Sequence, residues 1–391
     1  MQNVTAGGMG IGDDYPPRIM GVLNVSEESP YDPSVYDDPA EAAEYVDSEL
    51  IGEGADIVDV GLESANKRFE VLSADEELER LDTAIETIES VSGDAVFSIE
   101  TRYAEVADEA LSRGFDMVND ICGFADPRMP DVCRNHDAAV VKMASPPDLE
   151  RPGAIEKPDD IYDALKREGL TDKTIVDPAF GGWSEAKTLE DDRETFRRLR
   201  EFRGLGCPIL VSINRKNFLR DLADRSTEEA LPVSLAATSM AVERGAHVVR
   251  THDVAETADA AKIGAEFARN RIRADCGGSD GRGRDGIAVE ELDATNSREV
   301  ARHLERIGAD PARADEAAAR VFELSGLGDS ERDVLDSSAS EVGALVAGGP
   351  AGVLLGGSPA VLADLRSRVS EVSESTQDLD AALDAVVRSD Q

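Results

Sequence analysis

Cysteine is sparse in this chain, and the residues present are scattered. Cys122, Cys133, Cys207 and Cys276 form no CxxC pair. This argues against a disulfide framework or a zinc site and for reduced thiols in a cytosol. Aromatic residues make up only 4% of the 391 positions, with a single tryptophan, so any large core must be built from Val, Leu, Ile and Ala. No apolar run approaches the roughly 18 residues of a membrane span. The opening MQNVTAGGMGIGDDYPP has neither a basic start nor an apolar stretch. A cytoplasmic protein is expected, neither exported by a conventional signal nor inserted in a membrane.

Positive charge is also short. There are 41 basic residues against 81 acidic ones, for a net charge of −40 and a pI near 4.3. The acidic residues run through the whole chain and are not gathered in a tail. Such a surface repels nucleic acid and anionic membranes, so neither is expected as a partner. It suits a salt-filled cytoplasm, where charge is screened within roughly 3 Å at molar salt and hydrated carboxylates keep a protein soluble. A halophilic protein is expected. An anionic substrate would have to be met by local cations, for which Arg250 and Lys216 are candidates.

What is present is a repeated unit. From Arg18 to about Arg269 a short apolar run is followed by an amphipathic stretch, restarting every roughly 30 residues, the size of a βα unit. Strands are expected at Ile19–Leu23, Asp56–Val60, Ala95–Ile99, Met117–Val118, Ala138–Val141, Thr174–Val176, Ile209–Val211 and His247–Val249. Helices are expected at Ala40–Gly52, Glu76–Ser90, Ala104–Ser112, Asp160–Arg167, Asp191–Arg203, Glu228–Arg244 and Ala255–Ala268. Eight such units in a row predict an α/β fold of the (β/α)8 TIM barrel type. The alternative, an open doubly wound sheet, would normally carry a glycine fingerprint after its first strand, and GVLNVSEESP has none.

Residues 1–17 read as an N-terminal tail and 18–274 as the barrel. Residues 275–286, including the Gly- and Asp-rich CGGSDGRGRDG, read as a flexible linker, and 287–391 as a small C-terminal α/β domain. In that domain, helices are expected at Ser297–Ile307, with Ser297 as N-cap and Gly308 as the stop, and at Ala312–Leu324, Leu335–Ala347, Pro359–Val369 and Leu379–Val387. A strand is expected at Ala351–Leu355. His303 is expected to face solvent.

The carboxyl ends of the barrel strands carry a run of polar residues. They are Asn24; Asp59 with Glu63 and Ser64; Glu100, Thr101 and Arg102; Asn119 and Asp120; Lys142 and Met143; Asp177; Asn214, Arg215 and Lys216; and, from GAHVVRTHD (Gly245–Asp253), Arg250, His252 and Asp253. Any one of them alone reads as a cap or a turn, and Arg250 with Asp253 reads as a surface ion pair. In a barrel, however, these ends converge on one mouth. Glu100, Asn119 and Asp177 suit the N–H edge of a flat heterocycle, and Lys216 can donate to a ring carbonyl or nitrogen. Arg250, His252 and Asn24 suit a diphosphate and its Mg²⁺, which needs few protein ligands when phosphates supply the rest.

The motifs IMGVLNVS (Ile19–Ser26), EGADIVDVGLES (Glu53–Ser64), VND (Val118–Asp120), VDPAFG (Val176–Gly181), NRKNF (Asn214–Phe218) and VVRTHDV (Val248–Val254) occur in order, one per strand end. Together they resemble the dihydropteroate synthases over about residues 18–270. The resemblance implies condensation of 6-hydroxymethyl-7,8-dihydropterin diphosphate with p-aminobenzoate or a related arylamine, with release of pyrophosphate. It implies Lys216, Arg250 and His252 as catalytic groups. It also implies that Glu100 (Asp in the family), Asn119, Met143, Asp177 and Lys216 hold the pterin. Arg250 and His252 would hold the diphosphate, with Asn24 at the magnesium, and the protein would be a homodimer.

The chain departs from the family pattern in the first loop (SEESPYDPSVYDD), at ANKRF in place of TRPG, at ETR in place of DTY, at Asn214 and Asn217 around Arg215-Lys216, at Ala144 after Met143, and at Gly181-Gly182-Trp183. In the family the first two of these loops close over the arylamine, so the arylamine half is the poorly matched one. The C-terminal stretch is similar to an accessory segment of some longer synthases; a role in dimerisation or solubility is the alternative. The rival functions are a pterin-dependent methyltransferase of the same barrel family and a non-catalytic pterin-binding protein.

Overall fold

The structure is a computed structural model, and it describes residues 1–25, 34–63, 71–167, 169–181, 186–276, 287–349, 352–372 and 377–388. The Ser26–Pro33 part of the first loop, Ser64, the Ala65–Phe69 segment, Gly182-Trp183 and most of the expected linker lie outside the described residues. The chain divides into two compact units, Met1–Asn270 and Arg271–Gln391. No helix among the described residues is long and apolar enough to cross a membrane.

The first unit opens with a hairpin of β1 (Val4–Ala6) and β2 (Met9–Ile11), turned by Gly7 and Gly8 with φ of 52° and 83°. Residues 1–17 were expected to be a tail. Val4, Ala6 and Ile11 are instead buried, and the hairpin packs as part of a core.

The barrel then follows in alternation. It runs β3 (Arg18–Asn24), α1 (Pro39–Tyr45), β4 (Ile57–Gly61), α2 (Ala74–Ser90), β5 (Val96–Glu100), α3 (Ala104–Ser112), β6 (Met117–Asp120), α4 (Met129–Asn135), β7 (Ala139–Met143) and α5 (Pro158–Lys166). It continues with β8 (Thr174–Asp177), α6 (Leu189–Arg197), β9 (Leu210–Val211), α7 (Asn217–Ala223), α8 (Leu231–Glu243), β10 (Val248–Thr251) and α9 (Val254–Glu266). All eight strands are parallel, in the order β8-β7-β6-β5-β4-β3-β10-β9, and a parallel bridge from Val176 to Ile209 joins the two ends. The fold is the TIM barrel. Every expected strand is present within one or two residues. The expected helix at 40–52 divides into α1 and a π-helical turn at Val46–Ile51.

Strand residues alternate between two faces, and two cores result. Val58, Val60, Val118 and Val140 belong to the larger core, which also takes Leu81 and Ile85 of α2, Val106 of α3 and Ile161 of α5. The alternate residues Ile57, Val96, Met117, Ala139, Ile175, Leu210 and Val248 form the other core together with the N-terminal hairpin. These sit at the starts of their strands, so the hairpin closes the amino-terminal end of the barrel. Asp13 fastens it there, accepting from Arg203 Nη2 at 2.9 and 3.1 Å and lying 3.2 Å from His247 Nε2.

In the second unit, β11 (Arg273–Cys276) pairs with β12 (Ile287–Glu290), so Asp275 and Cys276, expected in the linker, belong to a strand. Then come α10 (Ser297–Arg306), β13 (Arg320–Leu324), α11 (Asp329–Val342), β14 (Leu345–Gly348), β15 (Val353–Gly357), α12 (Pro359–Val372) and α13 (Gln377–Arg388), with an antiparallel sheet ordered β13-β15-β14.

Four expectations are corrected in this unit. Asn296, not Ser297, caps α10, accepting from the Glu299 amide. The stretch 312–324 is a 3-10 turn at Pro311–Glu316 followed by strand β13, because Val321 and Phe322 pair with β15. The helix expected to reach Ala347 stops at Val342, where Gly343 turns left-handed at φ 78°, and the chain returns as β14. His303 is buried, on the inner face of a strongly amphipathic helix.

Candidate active site

The period of two that places Ile57, Val96, Met117, Ile175 and Val248 inside the barrel places the residues two further along inside it as well. Those residues are Asp59, Ser98, Asn119, Asp177 and Arg250, one pleat above the apolar plug. Next beyond them come Asn24, Glu100 and His252. The polar side chains therefore gather at the carboxyl end of the barrel because they continue the inward rows of their strands.

Asp59 is the hub. It is fully buried, and its Oδ2 accepts from Arg250 Nε at 2.7 Å and from Asn119 Nδ2 at 2.9 Å. Arg250 Nη2 donates to Glu100 Oε2 at 2.7 Å. The guanidinium is thus held on two edges by two carboxylates, in a plane fixed by strands β4, β5 and β10. Burial works against its charge, but Asp59 and Glu100 outweigh that, and the Arg250 pKa is raised. Burial pushes Glu100 up, with Arg250 opposing. The surface pair of Arg250 with Asp253 is not formed. Asp253 instead accepts from Asn214 and, through both oxygens, from Arg215 at 2.8 and 2.9 Å. Arg215 also donates to the Thr227 and Glu228 carbonyls, so it braces the loop after β9.

Asp177 ends β8, and its Oδ1 accepts from the Ala179 amide at 2.8 Å. Burial pushes its pKa up to about 6 against the pull of that amide and of Lys216. Lys216 is the N-cap residue of α7. Its Nζ lies where a side chain on Gly181 would fall, 3.0 Å from an ideal Cβ, so only glycine leaves room for the ammonium there. Burial pulls the Lys216 pKa down and Asp177 resists. His252, just beyond β10, is pushed down to about 3 by burial and by Arg250, which makes it neutral near pH 7. Met143 is buried at the end of β7. Asn24 ends β3, and its Nδ2 donates to Ser34 Oγ at 3.0 Å, which leaves its carbonyl oxygen facing Gly61.

Two features were not anticipated. Arg102 is buried and reaches three segments at the mouth. It bonds Glu63 Oε2 at 2.7 Å, the Leu72 carbonyl at 2.9 Å and the Leu149 carbonyl at 2.6 Å, with Glu77 nearby at 3.7 Å. Lys187 and Asp192 form a buried pair beneath the loop after Asp177. Arg102 follows the end of β5, but its burial rests on the distant Leu72 and Leu149 carbonyls, and Lys187 lies in a loop; neither burial leaves a signal in the sequence.

A protein-family profile described as "Pterin binding enzyme" matches residues 20–252, more than half of the chain, from within β3 to just past β10. The chain belongs to the pterin binding enzyme family. Among its relatives, a dihydropteroate synthase of Bacillus subtilis (strain 168) is 34% identical over 253 residues, covering 63% of this chain and 86% of that protein. A probable bifunctional folylpolyglutamate synthase/dihydropteroate synthase of Halobacterium salinarum is also 34% identical, over 257 residues, but only 31% of its length is covered. The solved dihydropteroate synthase of Coxiella burnetii, in complex with pteroic acid, superposes with a TM-score of 0.57 at 28% identity, covering 68% of this chain and 99% of that one. That of Thermus thermophilus, in complex with 4-aminobenzoate, superposes at 0.56 and 28%, covering 68% and 100%. This pterin binding enzyme thus shares its barrel with the two solved synthases over nearly their whole length.

Proposed function

We propose that the protein is a dihydropteroate synthase, a transferase that joins 6-hydroxymethyl-7,8-dihydropterin diphosphate to p-aminobenzoate and releases pyrophosphate. The observation that carries this reading is the fixed, charged Arg250 among Asp59, Glu100 and Asn119, with Lys216 over Asp177 across the same barrel mouth. One half of the mouth supplies acceptors and an ammonium for a heterocycle. The other supplies a guanidinium for an anionic leaving group.

In this reading Asn119, Asp177 and Lys216 hold the pterin edge with Met143 against the ring, and Arg250 and neutral His252 donate to the diphosphate. The bond from the methylene carbon to the diphosphate oxygen breaks, the arylamine nitrogen bonds to that carbon, and the amine proton leaves to solvent. The ring spreads positive charge as the bond breaks, and the nearby carboxylates favour it. Donors preorganised on the leaving oxygens are each worth roughly 10²–10³ in rate. An arylamine is neutral near pH 7, so the step needs no strong general base.

Asn24 offers one oxygen at the mouth, which fits a magnesium ion whose other ligands are phosphate oxygens and water. Bound there, the ion would neutralise charge on the departing pyrophosphate. The test is pyrophosphate release in molar KCl with Mg²⁺, with and without p-aminobenzoate. Release that needs p-aminobenzoate and is lost in Lys216→Ala and Arg250→Ala supports the synthase. Pterin binding without release in the presence of p-aminobenzoate refutes it.

The same reading extends to the whole protein. A net charge of −40 suits a halophilic, cytoplasmic enzyme. Met240 on α8, Ile263 on α9 and Phe267 just after α9 are 47%, 56% and 77% exposed, apolar surface that suits a homodimer interface. Sedimentation of Phe267→Glu as a monomer, against a dimeric parent, checks this.

A further inference from the structure

The staple of helix α6 is made of charge. Helices are often pinned at their start by an apolar contact between the residue before the N-cap and the fourth helical residue. In α6 the N-cap is Thr188, which forms a capping box with Asp191. The two staple positions are therefore Lys187 and Asp192, and their side chains meet at 3.0 Å with 1% and 5% exposure.

Each partner also grips the loop that follows β8. Lys187 Nζ donates to the Ala179 carbonyl at 2.7 Å. Asp192 accepts from the Gly181 amide at 3.2 and 3.3 Å. Between these grips Phe180 is buried and stacks on Phe218 of α7 at 5.7 Å, with Phe196 of α6 edge-on at 6.0 Å.

The gripped backbone is unusual. Ala179 is left-handed at φ 61° and Gly181 has φ 115°. A left-handed alanine persists only where its surroundings over-determine it. The same two residues build the site: the Ala179 amide holds the Asp177 carboxyl, and Gly181 makes the space for Lys216 Nζ. A buried ion pair is also a weak source of plain stability, since apolar residues of similar volume often serve as well.

We propose that Lys187 and Asp192 are positioning residues for the pterin end of the site. They hold the 177–181 loop so that Asp177 and Lys216 present their charged ends at the spacing the ring requires. This rests on the synthase reading above. A wrong loop would misplace the pterin while leaving the arylamine end untouched.

The test uses the full chain in three forms: wild type, Lys187→Met, and Lys187→Met with Asp192→Leu. The double change removes both buried charges and keeps the fold, so its unfolding temperature stays close to that of wild type. Both variants are expected to lose about a hundredfold in kcat/KM. The KM for dihydropterin diphosphate rises and the KM for p-aminobenzoate does not. Equilibrium binding of 6-hydroxymethyl-7,8-dihydropterin, followed by its fluorescence, weakens in both. A double variant with wild-type KM for the dihydropterin substrate overturns the proposal, as does a loss shared equally by both substrates and tracking thermal stability. If wild type itself releases no pyrophosphate, the synthase reading fails separately, and the pterin binding comparison still decides the positioning role: equal binding overturns it.

Discussion

Asp177 and His252 face the same mouth and are displaced in opposite directions by the same cause. Burial penalises the charged form of each. It lifts the carboxyl from 3.8 to about 6 and drops the imidazole from 6.5 to about 3. For Asp177 the folded state retains a proton that the unfolded state has lost, so stability falls as pH rises through that window and stays lower above it. Asp177→Asn is therefore expected to be the more stable protein at pH 8, by about 1–3 kcal/mol. Its advantage should fade as the pH drops through about 4 and be gone by about pH 3, where the aspartic acid is neutral in both states. Activity should be lost at every pH. Thermal unfolding across pH, beside pyrophosphate release, checks both. An Asn variant less stable than wild type at pH 8 would mean that the Asp177 contacts outweigh its burial. For His252 the sign reverses: its contribution is full above about pH 6.5 and is lost as the pH falls toward 3.

Among the elements, the α8–α9 contact shows how sequence detail sets packing. Ser239 Oγ donates to the Ala260 carbonyl at 2.7 Å, and Gly264 lies against the Ser239 backbone, with an ideal Cβ only 2.5 Å from the Ser239 carbonyl oxygen. Backbone cannot retreat as a side-chain tip can. Gly264→Ala should push the helices apart and destabilise the barrel by about 1–3 kcal/mol, a value typical of overpacking. It should do so despite the better helix propensity of alanine. A melting temperature equal to or above wild type would show that the crossing has room to spare. Helix α2 has the opposite character. Its start is secured locally by the Ser73–Glu76 capping box, and it presents Leu81, Ala84 and Ile85 to the barrel.

For the whole molecule, the division of labour is plain in where residues lie. Asn24, Glu100, Asn119, Met143, Asp177, Lys216, Arg250 and His252 all belong to Met1–Asn270, which has its own two cores, while Arg271–Gln391 has a separate one around Leu335, Leu355, Leu365 and Leu383. A chain ending at Asn270 should therefore fold and keep pyrophosphate release within a few-fold of the full protein. Circular dichroism and the same assay check it. Loss of release in a folded truncated chain would assign the C-terminal unit a part in the reaction. The charge of −40 belongs to this scale too, since repulsion spread over the surface is relieved only by bulk salt. Melting temperature should rise between 0.1 M and 2 M KCl.

The barrel was legible in the sequence because its signals are local. A βα unit declares itself through its own apolar run and its own amphipathic stretch, and eight strands appear where the pattern predicts them. The inward rows were legible for the same reason, since a period of two carries Ile57 to Asp59 and Val248 to Arg250. Pairing was not legible. That Arg250 would take Asp59 and Glu100, and leave Asp253 to Arg215, depends on which strand lies beside which. That Ala312–Leu324 would hold a strand depends on β15 being there to pair with it. The burial of Lys187 and Arg102, and the sealing of the barrel floor by a hairpin that reads as a tail, likewise depend on residues far away in the chain. By itself the sequence determined the repeat, the strand faces and the residue types delivered to the mouth, because these follow from short-range periodicity. Only the tertiary structure decided which charges meet, because ion pairs and hydrogen bonds are made across sequence distances that no local pattern records.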